Sequence, residues 1–90
     1  MVTVSVDNDP VSVPLASEES VTVPSGETWV VEVTAINDGS GYDARVKLNG
    51  VSVIGAPNAE ETTASMTLTA GDTIEPGRRT AGGSVTGWSV

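Results

Sequence analysis

Carboxylates are the first residues to weigh for chemistry in this chain, because twelve Asp and Glu stand against four Lys and Arg, and His and Cys are both absent. The usual zinc sites, serine-type triads and disulfide frameworks are therefore excluded. Two adjacent pairs, Glu18-Glu19 and Glu60-Glu61, have the residue types of a hydrolytic acid and base. Neighbours on a strand point to opposite faces, however, and on a loop they are solvated, so no catalytic residue is expected from either pair. Calcium is the other candidate, since Asp7-Asn8-Asp9 and Asn37-Asp38-Gly39-Ser40-Gly41-Tyr42-Asp43 offer oxygen donors. Pro10 cuts the first short and the second lacks a distal bidentate Glu, so both read as turns built on Asn and Asp. Neither a metal nor a cofactor is expected.

Binding chemistry rests on three rings and one cationic pair. Trp29 falls on the apolar side of its segment and is expected in the core, while Tyr42, after Gly-Ser-Gly, is expected to be an exposed ring. Trp88, near the end and after Gly87, suits a core edge or a subunit contact. Arg78-Arg79 supplies half of the positive charge, and an arginine fork can meet a carboxylate of an acidic neighbour.

The elements that must carry these residues are strands, because apolar residues recur with period two and nowhere at helical spacing. Val2, Val4 and Val6 alternate with Thr3 and Ser5; Val11, Val13 and Leu15 with Ser12 and Pro14; Trp29, Val31, Val33 and Ala35 with Val30, Glu32 and Thr34. Val30 and Ile36 leave that last polar face only half polar, so part of it is expected to be covered. Asn49-Gly50 separates Ala44, Val46 and Leu48 from Val51 and Val53, and both residues tolerate the positive φ of a two-residue hairpin turn. Ser25-Gly26-Glu27-Thr28 and Ala70-Gly71-Asp72-Thr73 repeat one turn chemistry. Gly87 is expected to mark a bulge, and Glu75 to Gly83 to form the longest loop. The fold expected is an all-β antiparallel sandwich of about eight short strands. Trp29, Val31, Val33, Val46, Leu48, Val53, Met66 and Leu68 are expected to be buried by their shared parity.

A net charge of −8 over 90 residues argues against nucleic acid and anionic membrane surfaces, both of which need Lys and Arg. It also suits a protein adapted to high salt, where repulsion between exposed acids is screened. Met1 to Val6 has neither the positive end nor the continuous apolar run of a signal peptide, so an untargeted chain of one domain is expected.

Thr22-Val23-Pro24-Ser25-Gly26-Glu27-Thr28-Trp29, Leu48-Asn49-Gly50-Val51-Ser52-Val53, Leu68-Thr69-Ala70-Gly71-Asp72-Thr73-Ile74 and Ser84-Val85-Thr86-Gly87-Trp88-Ser89-Val90 follow one another in an order that resembles small jelly-roll modules of tailed-virus particles. The resemblance covers residues 20–90 and leaves 1–19 as an arm or an extra hairpin. It implies a non-enzymatic virion protein, such as a capsid decoration, spike or tail component, acting as a trimer and through contacts with other virion proteins such as the capsid protein. The acidity would then imply a virus of a halophilic archaeon. Contacts are expected at Val2, Val4, Val6, Arg78, Arg79, Trp88 and Val90. Val30 to Asn37, Gly39 and Lys47-Leu48-Asn49-Gly50 also resemble the immunoglobulin-like repeats of microbial surface proteins. That alternative implies a cell-surface or carbohydrate-binding module.

Overall fold

Strands with one apolar face must hide it against a second sheet, and the chain does this with two. The computed structural model describes residues 9–90. Eight strands follow in order: β1 (Asp9–Pro14), β2 (Val21–Thr22), β3 (Thr28–Asn37), β4 (Ala44–Leu48), β5 (Val51–Ala56), β6 (Glu61–Thr69), β7 (Thr73–Pro76) and β8 (Thr80–Ser89). The first sheet has the order β1-β8-β3-β6 and the second β2-β7-β4-β5. β1 pairs with β8, β2 with β7, β3 with β6 and β4 with β5, all antiparallel. The chain is thus one long hairpin rolled over into two sheets, which is jelly-roll connectivity.

The midpoint of that hairpin is Asn49-Gly50, with φ of 50° and 83°, the positive pair that a type I′ turn demands. Asn49 also ties this tip to its neighbour: its Nδ2 donates to Asp72 Oδ1 at 3.0 Å, and Thr73 N donates to its Oδ1 at 2.9 Å. The two repeated turns are geometrically alike. Glu27 N donates to Pro24 O and Asp72 N to Thr69 O, with Gly26 at φ 82° and Gly71 at φ 89° in the left-handed position. They touch each other, since Val23 N donates to Asp72 O and Gly71 N to Val23 O.

The core between the sheets contains Val33, Ala35, Val46, Leu68 and Val85 at zero exposure, with Leu15, Val23, Trp29, Val31, Ile54 and Ile74 around them. Each such side chain is worth about 1.5 to 3 kcal/mol of transfer free energy when fully buried. Trp29 lies in this core with its Nε1 donating to Glu27 Oε1 at 3.1 Å. Leu48 and Met66 are half-buried and pack on the core rim.

Several expectations need correction. Val53 is 43% exposed rather than buried. The β4–β5 register runs Val46 to Ile54 but Lys47 to Ser52, so Val53 is an extra residue without a partner. That bulge reverses the parity of β5 and turns Ile54 and Ala56 inward instead. Gly87 is no bulge, because the β3–β8 register passes through Val31 and Gly87 without a shift. It is a point of close approach: a Cβ there would stand 2.1 Å from Val30 O. The loop expected over 75–83 shrinks to the turn at 77–79. β1 falls within the segment expected as an arm or extra hairpin, yet it is the edge strand of the first sheet, with its own Val11 and, just after it, Leu15 in the core.

Candidate interaction surfaces

β8 carries the parity of Val85 inward and that of Thr86 and Trp88 outward, so Trp88 stands on the outer face of the first sheet. It is 52% exposed. Register places Trp88 opposite Val30 of β3 on one side and Pro10 of β1 on the other, while Val30 lies opposite Thr67 of β6. The next outward row is Ser12, Thr86, Glu32 and Ser65. Between the two rows runs an open trough of about 620 Å³, crossing β8, β3 and β6 and lined by Val30, Glu32, Ser65, Thr67, Thr86 and Trp88. Its chemistry is an indole beside an aliphatic side chain, one carboxylate and hydroxyls. Val30 is 47% and Val90 58% exposed, and Val90 N is held by Thr28 O at 2.8 Å.

The opposite end of β8 holds the arginine turn. Arg79 is half-buried, its Cζ 4.2 Å from the centroid of the Tyr42 ring, and its Nη1 donates to Ser40 Oγ at 3.4 Å. Arg78 is exposed and makes no hydrogen bond or ion pair among the described residues. Hydrogen bonds from Ser40, and then the Arg79 charge, hold the Asp38 carboxyl below its usual range. Asn37 anchors this end. Its buried side chain donates from Nδ2 to Tyr42 O at 2.7 Å and Ala56 O at 2.9 Å, and its Oδ1 accepts from Gly39 N at 2.7 Å.

The contact residues expected from the sequence thus divide. Trp88 and Val90 lie at one end of β8, Arg78 and Arg79 at the other, and Val2, Val4 and Val6 lie outside the described residues. Within the described residues β1 starts at Asp9, opposite Ser89 of β8. Val30, Glu32 and the hydroxyl rows were not singled out by the sequence as contacts; the half-apolar outer parity of Val30 and Ile36 was the signal for them. Asn37 and Asp38 spend no free oxygen on a shared site: Asp38 Oδ1 accepts from Ser40 N at 2.9 Å in an Asx turn. Glu18 sits in the turn closed by Glu19 N and Ala16 O, and Glu60 in the turn closed by its own N and Pro57 O, with all four paired carboxylates exposed. Among the described residues, no three Asp or Glu side chains converge as metal ligands would.

A second, smaller depression of about 260 Å³ lies on the other sheet, lined by Glu18, Ser20, Arg45, Lys47 and Glu75. Its charges are mixed, and Lys47 faces Glu75 across β4 and β7. No family model, curated protein or solved structure matches this chain.

Proposed function

We propose that the chain is a non-enzymatic structural module of a virus particle, and that its work is assembly: contact with copies of itself and with shell proteins through the outer face of the first sheet. The observation that carries this reading is Trp88, 52% exposed beside Val30 on the face away from the core. A monomer gains nothing by wetting an indole there, whereas an interface centre is enriched in such rings. The jelly-roll strand order supports the particle setting by analogy of fold. Trimeric closure and a haloarchaeal host belong to the same proposal. Density-gradient purification of particles from cells producing the chain tests it. The chain should travel with the particles in fixed stoichiometry; recovery only in the free fraction would overturn the reading.

The Thr86, Ser65 and Thr67 hydroxyls around Trp88 favour a second reading, a carbohydrate-binding face. Trp29 is buried and Trp88 exposed, so a change in the emission of the exposed indole on titration with neutral oligosaccharides would support that reading against the first.

A further inference from the structure

We propose that copies associate head to tail, with Arg78 at the β7–β8 turn of one copy entering the Trp88 and Glu32 trough of the next. This rests on the assembly reading above and names its contact. Charge is the first argument. Glu32 is the charged residue of the trough, and the outer face of the first sheet also carries Glu61 but neither Lys nor Arg. The four cations of the chain lie elsewhere, at Arg45 and Lys47 on β4 and at Arg78 and Arg79 in the turn. A two-fold contact of trough against trough would enclose Glu32 with its own copy and no cation to balance them, so the self-complementary arrangement is opposed.

Which cation fits is decided by what each already does. Arg79 is stacked on Tyr42 and bonded to Ser40. Lys47 faces Glu75, and Arg45 shares the smaller depression with Glu18 and Glu75. Arg78 projects from the tip of its turn and meets no acid among the described residues. A guanidinium suits the trough twice over, since its plane can lie on an indole while its fork meets a carboxylate. The same pairing of arginine and ring already occurs within the chain at Arg79 and Tyr42.

A copy cannot fill its own trough. Arg78 precedes β8 and Trp88 stands near its far end, and a rise of about 3.3 Å per residue keeps them roughly 30 Å apart. A projecting turn on one end and a receptor near the other make a heterologous contact, which closes into a ring or propagates as a filament.

Sedimentation velocity over a range of concentrations tests this with three variants: Arg78→Glu, Glu32→Arg, and the double exchange. Both positions are exposed, and unchanged unfolding midpoints establish that each variant is folded. Each single variant should weaken association by roughly thirtyfold or more. The double exchange should recover it to within about threefold, and an equimolar mixture of the two single variants should co-assemble where neither does alone. If the wild type assembles and both single variants match it, this contact is wrong while the assembly reading stands. If the wild type stays monomeric at every concentration, the assembly reading fails and takes this contact with it.

Discussion

Replacing Asn37 by Ala removes a side chain that holds three backbone groups at once: the carbonyls of Tyr42 and Ala56 and the N–H of Gly39. The bond to Ala56 O is buried, so that carbonyl loses its partner without gaining water, at a cost of about 1 to 3 kcal/mol. The other two groups are only partly buried and water can replace their partner, so each adds about 0.5 to 1 kcal/mol. A total of about 2 to 5 kcal/mol is a large fraction of the stability of a domain this size and lowers Tm by roughly 10 to 40 °C. Thermal and urea unfolding measure it directly. Asn37→Asp sharpens the test, because a carboxylate cannot donate to either carbonyl and its charge faces two acceptors. Its folded-state pKa is raised, so the deficit of this variant should shrink as pH falls towards the unfolded carboxyl value and grow as pH rises. A loss under about 0.5 kcal/mol for Asn37→Ala would refute the view that this residue ties β3 to the loop and to β5.

Three further outcomes are expected. Ile54→Ala should cost about 2 to 5 kcal/mol in denaturant unfolding while Val53→Ala costs under about 0.5, and equal losses would mean that the bulge in β5 is misplaced. Asp72 is held below its usual range first by the hydrogen bond from Thr69 N and then by that from Asn49. Its folded pKa is depressed, so its contribution is present above the unfolded value near 3.8 and lost as pH falls through the folded value. The Tm advantage of the wild type over Asp72→Asn should therefore vanish in acid, and an advantage that persists there would contradict the assignment. The unfolding midpoint should rise from dilute buffer to molar salt, as the screening length drops from about 10 Å at 0.1 M to about 3 Å at 1 M. An unchanged midpoint would count against adaptation to high salt.

How much of this was legible in the residues follows from what is local. Period-two alternation announces strands wherever one face is buried, and Asn49-Gly50 announces its turn because few other pairs accept two positive φ values. The paired Gly-acid-Thr turns were legible for the same reason. The fate of Val53 was not, since a bulge is set by the pairing of β5 with β4 and leaves no mark in an apolar run. Asn37 reads as an ordinary turn former, and its burial depends on carbonyls contributed from β5 and the loop after β3. The trough is the most distant feature. Val30, Glu32, Ser65 and Trp88 come from three strands that only the sheet order brings side by side. Parity could say that Val30 faces out, but not that Trp88 would join it, because Gly87 interrupts the alternation that would have assigned its side.

The central claim is that the outer face around Trp88 is an assembly surface, and the mass of the intact chain in solution tests it most directly. Light scattering after size separation, for the wild type and for the Val30→Ser, Trp88→Ser variant, should give a concentration-dependent species heavier than the 9.1 kDa monomer for the first and the monomer alone for the second. A wild type that remains at monomer mass throughout, or a variant that assembles as the wild type does, would contradict the account.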